Sequence, residues 1–202
     1  MGRPRVHGTA TANALVDAAE RIVDAEGVES VSIRRVAREV GTTTRAVYSV
    51  FGSKEALLAA LGRRAFEILG RELEALPVTS DPAEDLVEAG LMFRRFALEH
   101  PSLLQIGFQH VPIAADVAAD FRPTQSRAFA GLVARVERLG DAGGLGGRSV
   151  LDAVHVFDAL TEGLAAVELR GTLPSGREEA IWCDALGTLV HGFAREERNA
   201  TD

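Results

Sequence analysis

The chain of 202 residues is long enough for one large domain or two small ones with a buried core. Its 47% hydrophobic and 25% charged residues are typical of a soluble globular protein. The sequence contains no run of 18 apolar residues, so no transmembrane helix is predicted. A single cysteine, Cys183, excludes an intramolecular disulfide and a cysteine-based metal cluster, and we expect this thiol to be buried on an apolar helix.

The net charge of −7 is unevenly distributed along the chain. Residues 1–55 carry eight Arg or Lys against seven Asp or Glu, whereas the remaining 147 residues carry 14 against 22. The acidity therefore belongs to the C-terminal part, and the net charge does not exclude nucleic-acid binding by the N-terminal part. No apolar segment of the kind found in secretory signals follows the basic N-terminus, so we expect a cytoplasmic protein.

Three helices are predicted near the N-terminus. The first covers residues 11–27, with apolar residues at i, i+3 and i+4 spacing, and ends at Gly27. The second begins after the N-cap Ser32 and ends at Gly41; the third begins after the N-cap Thr43. Two helices of about two turns each, joined by a short turn that contains glycine, form a helix-turn-helix unit.

The third helix is the one that would enter the DNA major groove, because the second helix of a helix-turn-helix unit does so with its N-terminal residues. Arg45 suits bidentate contact with guanine, and the threonines offer a hydroxyl and a methyl group. The alternative is a solvent-facing helix, but so short and polar a helix gains little from packing alone. We expect one face to contact DNA (Thr43, Thr44, Arg45, Tyr48 and Ser49) and the other to face the core (Val47, Val50 and Phe51).

Lys54 is the only lysine beside 21 arginines, and it follows Ser53, the predicted N-cap of a fourth helix. A helix N-terminus favours an anion, so a lysine at this position is mildly unfavourable for the helix alone. Its presence is explained if a DNA phosphate binds both the helix N-terminus and the lysine ammonium group. The alternative is a solvated surface lysine. For the N-terminal arm, residues 2–5, two interpretations stay open: contact with the minor groove or flanking phosphates, and a disordered tail.

The rest of the chain is also predicted to be helical, since no alternating strand pattern occurs. Asp81 with Pro82 marks a strong helix start, Ser149 caps a long helix, and Ser175 with Glu178 forms a capping box for the last one. Residues 112–121 stay unassigned. The predicted helices after Ser53 are 54–76, 81–99, 101–110, 123–139, 149–170 and 175–195.

A contiguous motif runs through the N-terminal helices: Gly27, Ile33-Arg34-Arg35-Val36-Ala37, Gly41, Tyr48 and Phe51-Gly-Ser-Lys54-Glu-Ala-Leu57. On these residues, positions 11–61 resemble the DNA-binding domain of the TetR family of bacterial transcription regulators. The resemblance implies phosphate contacts by Tyr48 and Lys54, and by the N-caps Ser32 and Thr43. Arg45 stands where a small residue is usual, and an aromatic residue or histidine is usual at Ser49 or Val50. The operator sequence is therefore not implied, and Arg45 is the best candidate for a base contact.

The C-terminal part of such a regulator is a ligand-binding and dimerisation domain, so the resemblance implies two domains, 1–55 and 56–202. We expect apolar ligand contacts from the aromatic-rich middle helices and polar ones from the long helix after Ser149. The alternatives are a plain core and a polar stripe at a surface or dimer seam; the i, i+3, i+7 spacing of His155, Asp158 and Glu162 also allows metal binding. Gln109 and His110 are weaker candidates. The predicted ligand-binding residues are Phe93, Phe96, Leu104, Phe108, Phe129, His155 and Glu162.

The last two helices carry apolar residues together with small residues that allow close helix approach, which predicts a four-helix bundle in a homodimer. Residues 97–108 and 159–171 also resemble a TetR subgroup marked by Trp-His-Gly, where this chain has Thr161-Glu162-Gly163. The residues on which the dimer prediction depends are Leu151, Val154, Leu160, Leu164, Trp182, Leu186, Leu189, Phe193, Gly163, Ala165, Ala166, Gly187 and Gly192.

The predicted function is that of an all-α, TetR-like repressor that binds a double-stranded DNA operator as a homodimer and is released by a small, largely apolar effector. We expect no membrane association, no cofactor, no metal and no enzymatic activity. Gly-x-Ser-x-Gly and His-Glu-x-x-His motifs are absent from the sequence, and the Gly-rich run at 143–147 lacks the spacing of a phosphate loop. The alternative is an all-α ligand-binding or enzymatic protein that does not bind DNA.

Overall fold

The computed structural model of the protein describes residues 6–108 and 122–194. Nine α-helices and one 3-10 helix occur in these two ranges, and no strand, so the predicted all-α class is confirmed. No helix among them is both long and apolar enough to cross a bilayer. The elements are α1 (Val6–Glu26), a 3-10 helix (Val28–Ser30), α2 (Ile33–Val40), α3 (Thr44–Phe51), α4 (Lys54–Ala75), α5 (Pro82–Glu99), α6 (Pro101–Phe108), α7 (Arg122–Asp141), α8 (Val150–Leu169) and α9 (Glu178–Phe193).

Local capping explains where most of these helices begin. An N-cap oxygen satisfies a first-turn N–H group that has no partner within the helix. Five predicted N-caps are confirmed by such hydrogen bonds, which are 3.0 to 3.2 Å long. They are Ser32, Thr43, Ser53, Asp81 and Ser149.

Two predicted helix starts differ from the structure. The first helix begins at Val6 rather than at residue 11. The capping box at Ser175 is wrong, because Gly176 has a φ of 78° and turns the chain before the helix begins. Arg177 takes the N-cap position without a side-chain hydrogen bond, and α9 begins at Glu178. Several predictions fall outside the described residues: those for the arm at 2–5, for Gln109 and His110, for residues 112–121 and for the end of the last helix.

The chain divides into two compact units by its internal contacts. The first contains α1, α2, α3, the part of α4 up to Glu67, and α6. Its core forms where α1 packs against α2, α3 and α6. The predicted domain boundary after residue 55 stays a prediction about function. By its internal contacts, α6 belongs with the N-terminal helices. The buried residues of this unit include Leu15, Ala18, Ala19, Ile22, Val36, Val47, Leu57, Leu61, Leu103 and Leu104.

The second unit contains the part of α4 from Ile68 onward, α5, α7, α8 and α9. Here α5 packs against both α8 and α9. The approach of α5 to α9 is close, since a Cβ atom on Gly90 would lie 2.6 Å from Leu186. The core of this unit includes Leu86, Phe96, Val154, Phe157, Trp182, Leu186 and Phe193.

The burial predicted for Cys183 is wrong, since this residue is exposed. It lies on α9 next to Trp182, which is fully buried. Neighbouring positions of a helix point about 100° apart, so the inward face that takes Trp182 and Leu186 leaves Cys183 on the outside.

Candidate DNA interface and effector region

The helix-turn-helix unit is formed by α2, a left-handed glycine and α3. Gly41 has a φ of 71°. This left-handed conformation is unfavourable for any residue with a Cβ atom, so it favours glycine. Ser32 accepts from the Arg35 N–H and Thr43 accepts from the Ala46 N–H, each at 3.2 Å, so both helices begin at defined residues. The arrangement fixes α3 on α2 with one narrow face inward.

Most of the remaining surface of α3 is exposed, while Ala46 and Phe51 are partly covered. Val47 is fully buried, whereas the side chain of Tyr48 is 55% exposed, unusually open for an aromatic residue. Lys54, the first residue of α4, is half-buried. The predicted DNA-contacting residues that the structure leaves exposed are Ser32, Thr43, Thr44, Arg45, Tyr48 and Ser49.

Val50 is a correction to the predicted core face. It is 39% exposed, although its spacing from Val47 placed it inside. A helix of eight residues with one fully buried position has too narrow an inward face to take both valines. Val50 therefore adds an apolar group to the exposed surface of α3, away from Tyr48, since residues two apart on a helix do not face each other. Such a group suits contact with a thymine methyl, and the sequence pattern alone missed it.

The arginines of α2 differ in availability. Arg35 is held by Glu26, with Nη1 at 2.6 Å from Oε2 and a second bond from Nη2 to Oε1. The hydrogen bond from Arg35 lowers the pKa of Glu26. Arg34 and Arg38 are exposed and form no ion pair within the described part of the chain. The cations that α2 presents for an anionic partner are therefore Arg34 and Arg38, while Arg35 is neutralised within the unit.

A polar network in the first unit joins α1 to α4 and α6. Arg64 on α4 contacts Asp17 at 2.6 Å and Glu20 at 2.9 Å, both on α1. The other oxygen of Glu20 lies 3.3 Å from Nδ1 of His100, just before α6. Sequence reasoning missed this network, because its members are too far apart in the chain to form a local pattern.

A second hydrogen bond, besides the contact between His100 and Glu20, joins the start of α6 to α1: Ser102 donates to Asp24. Carboxylates beside a helix N-terminus are favoured by its unsatisfied N–H groups. The segment from His100 onward is therefore tied to the same helix that supports the helix-turn-helix unit.

The predicted ligand-binding residues do not all lie in one unit. Leu104 and Phe108 belong to the first, where the rings of Phe108 and Phe66 are 5.1 Å apart. The other five belong to the second. There, ring centroids are 6.3 Å apart for Phe93 and Phe96, and 6.2 Å apart for Phe129 and His155.

Asp158 is the most strongly perturbed acid near this set. Burial raises its pKa to about 6; the charge of Glu162 adds to the rise and His155 opposes it. The i, i+3, i+7 stripe on α8 therefore includes a carboxyl group in a partly dry environment. Among the described residues, no group of three or more His, Cys, Asp or Glu side chains is placed to hold a metal ion.

A cavity of about 490 Å³ opens at the loop between α7 and α8. It includes none of the predicted ligand-binding residues, so its position and the prediction disagree. Four of its nine lining residues belong to the Gly-rich segment 143–147, and a fifth is Gly140. Its walls lack the aromatic side chains that usually bury an apolar ligand, so this cavity does not match the predicted apolar site.

Two arginines of α7, the buried Arg135 and the half-buried Arg138, stabilise the second unit at and beyond the end of α4. Arg135 on α7 donates to the carbonyl oxygens of Leu73 at 2.9 Å and Leu76 at 3.2 Å, which supplies partners to the C-terminal turn of that helix. Arg138 donates to Asp85 at 2.6 Å. Burial alone would raise the pKa of Asp85, but the hydrogen bonds from Arg138 and Thr79 outweigh burial and lower it.

The outward face of α8 and α9 carries apolar and small residues. Leu151 is 55% exposed, and Val156 and Leu169 are also exposed. A Cβ atom added to Gly163 or Gly187 would meet nothing within 4 Å. Small residues with open space above them permit a second helix to approach closely.

Comparison with known proteins covers both parts of the chain. Residues 15–61 match the family model described as bacterial regulatory proteins, tetR family. Residues 86–189, just over half of the chain, match the model described as tetracyclin repressor-like, C-terminal domain.

Individual relatives agree with this assignment. HTH-type transcriptional repressor DrrR1 of Streptomyces coeruleorubidus is 35% identical over 124 residues, which is 55% of this chain and 40% of that protein. The regulator Rv0681 of Mycobacterium tuberculosis is 27% identical over 184 residues, 90% of this chain and 80% of its own.

A solved structure extends the likeness to the whole fold. A protein of unknown function from Rhodococcus sp. RHA1 has a TM-score of 0.79 and 25% identity, and covers 91% of this chain and 95% of its own. The chain belongs to the tetR family of bacterial regulatory proteins.

Proposed function

We propose that the protein is a transcriptional repressor that binds operator DNA as a homodimer and leaves it when a small molecule binds. The observation that carries this proposal is the α2–Gly41–α3 unit, with both N-caps formed and the polar residues of α3 exposed. That geometry presents the N-terminal half of α3 to a major groove, as a recognition helix requires.

The side chains at this surface divide into two roles. Lys54 and Tyr48 bind phosphates, and Ser32 and Thr43 place the N-termini of α2 and α3 beside the same backbone. Arg45 reads a guanine, with Thr44 and Ser49 beside it. The phosphate contacts supply most of the affinity, whereas Arg45 supplies most of the discrimination between sequences.

The partner in the homodimer is a second copy that packs α8 and α9 against their counterparts. The exposed Leu151 and Val156 and the open space above Gly163 and Gly187 support this arrangement. A two-fold dimer places two copies of residues 42–50 about one helical turn apart on a palindromic site.

The effector we propose is largely apolar and binds the aromatic residues of the second unit, Phe93, Phe96 and Phe129, with His155 and Glu162 as its polar contacts. To act as a switch, it must bind the DNA-incompetent state more tightly, by about 1–3 kcal/mol for a typical coupling. An effector with equal affinity for both states would leave DNA binding unchanged.

Fluorescence anisotropy with DNA flanking the protein's own gene, across a salt series, tests the proposal. Lys54→Ala should weaken binding to all sequences and make the salt dependence shallower, whereas Arg45→Ala should lose about 1–3 kcal/mol of discrimination at one base pair. Arg127→Ala is the matched control. It also removes one positive charge, but from an exposed side chain on α7 in the second unit. It should leave both quantities unchanged.

The contrary result is equally definite. An intact dimer that binds no duplex, even at low salt, overturns the repressor proposal. It would favour the all-α ligand-binding protein that does not bind DNA.

A further inference from the structure

Lys54 is chemically unique among the cations of this protein. The other 21 basic side chains are arginines, whose guanidinium groups stay protonated and do not react with acyl donors under cellular conditions. The ε-amino group of Lys54 is therefore the one side-chain amine that can be acylated. Apart from an α-amino group at the chain's N-terminus, no other primary amine competes with it.

The surroundings of Lys54 leave its ammonium group without a protein partner. Within the described ranges it forms no hydrogen bond or ion pair, although ten other ion pairs occur there. The positions one helical turn further on, Leu57 and Leu58, are buried and apolar, so no carboxylate lies at i+3 or i+4. Lys54 as a whole is half-buried, and lysine side chains in such positions generally cover the aliphatic stem and keep the ammonium group in water.

The position of Lys54 makes the loss of its charge consequential. It is the first residue of α4, and Ser53 accepts the Ala56 N–H at 3.0 Å, so the helix begins there whatever group Lys54 carries. Acylation would thus change the charge at the DNA-facing surface without removing the cap of the helix. The arginines on α2 and α3 would keep their charge.

We propose that Lys54 is a modification site at which a small acyl phosphate or acyl thioester switches off DNA binding. This inference rests on the proposed function. In the reaction, the neutral amine attacks the acyl carbonyl carbon and a C–N bond forms. The bond from that carbon to the phosphate oxygen or the thiolate sulfur breaks, the leaving group keeps the electron pair, and the amine loses a proton to water.

The effect should be uniform across DNA sequences. A dimer acylated on both copies has two fewer charges at the DNA, so the slope of log K against log salt should fall by about 2. The loss of one charge-assisted phosphate contact from each copy should weaken binding by roughly tenfold or more. Discrimination between bases should be retained, because Arg45 is unchanged.

The test treats wild type and Lys54→Arg with acetyl phosphate in one arm and acetyl coenzyme A in the other. Intact mass and peptide mapping give the acetylation at Lys54, and anisotropy gives DNA affinity before and after treatment. We expect wild type to gain one acetyl group at Lys54 in at least one arm and to lose affinity. Whatever affinity Lys54→Arg has before treatment, it should have the same affinity afterwards.

Three results would overturn the inference. One is the absence of acetylation at Lys54 in both arms, and another is full DNA affinity of the protein acetylated there. The third is an equal loss of affinity by Lys54→Arg, which would assign the effect to the N-terminal amine. If untreated wild type bound no duplex, the proposed function itself would fail, and that result is visible before any acyl donor is added.

Discussion

Trp182 donates its indole N–H to Glu168 at 2.7 Å, and this bond joins α9 to the end of α8. The same carboxylate receives Arg94 from α5 through three contacts of 2.8 to 3.2 Å. Trp182 is fully buried and the side chain of Glu168 is 8% exposed, so each group in this triad depends on the others for its partner. The hydrogen bond to Glu168 raises the pKa of Arg94, which stays charged.

Removal of the carboxylate should therefore destabilise the second unit. Glu168→Leu leaves the indole N–H unpaired and the mostly buried guanidinium with only the exposed Glu179 as its partner, and should lower the free energy of unfolding by about 3–5 kcal/mol. Glu168→Gln keeps one acceptor and should cost less. Urea denaturation followed by fluorescence of the single tryptophan measures both at a fixed protein concentration.

The control for this prediction is Glu179→Gln. Glu179 also contacts Arg94, at 3.4 Å, but its side chain is 75% exposed. Surface ion pairs of this kind contribute about 0–1 kcal/mol, so the control should stay close to wild type. Equal losses for Glu168→Leu and Glu179→Gln would contradict the triad as the element that stabilises this unit.

The N-cap of α3 provides a second prediction. Thr43→Ala removes the acceptor for the Ala46 N–H and should lower the free energy of unfolding of the first unit by about 1 kcal/mol. Thr43→Ser should restore most of it. Thr44→Ala, one residue later and equally exposed, should change stability by less than about 0.5 kcal/mol. Hydrogen exchange of the α3 amides reports the local effect; the same protection in Thr43→Ala as in wild type would show that the cap is not needed.

The features that were predictable from the sequence are those set by neighbouring residues. Ser32, Thr43, Ser53, Asp81 and Ser149 each bond to an N–H group two or three residues away, so a short sequence window contains both partners. The family resemblance supplied the helix-turn-helix unit for the same reason, since its motif is contiguous.

The features that escaped prediction involve distant partners or the choice between adjacent helix faces. Arg138 and Asp85 are 53 residues apart, and Arg135 lies 62 residues from Leu73, so no local pattern marks either contact. Val50 and Cys183 are apolar enough for a core, but both lie just outside the inward arc of their helix. How many positions of a helix are buried depends on the element that packs against it, and neighbouring residues in the sequence do not identify that element.

The outward face of α8 and α9 leads to a prediction about assembly. Gly187→Arg places a long charged side chain where the space above this glycine is open, so the isolated chain should fold normally. If that space belongs to a second copy, the guanidinium would be buried without a partner and the dimer should dissociate. Light scattering after size exclusion measures the mass, and circular dichroism confirms the fold. Ala142→Arg, on the exposed loop after α7, is the control and should stay dimeric.

The raised pKa of Asp158 predicts how stability depends on pH. The folded protein holds this proton up to pH about 6, whereas the unfolded chain releases it near 3.8, the ordinary pKa of an aspartate. Between these values the native state binds more protons, so the contribution is fully present below pH 4 and is lost as the pH rises through 6. Asp158→Asn removes the titration, and its stability relative to wild type should increase by about 2 kcal/mol from pH 4 to pH 7.5, after allowance for partial exposure.

Two further variants test the causes of that shift with opposite signs. Glu162→Gln removes a like charge and should move the transition to lower pH, whereas His155→Gln removes an opposing influence and should move it higher. Thermal unfolding at intervals between pH 4 and 8 gives the three curves. If Asp158→Asn followed the wild-type profile, the pH dependence would belong to other groups. If instead neither substitution moved the transition, burial rather than charge would account for the whole shift.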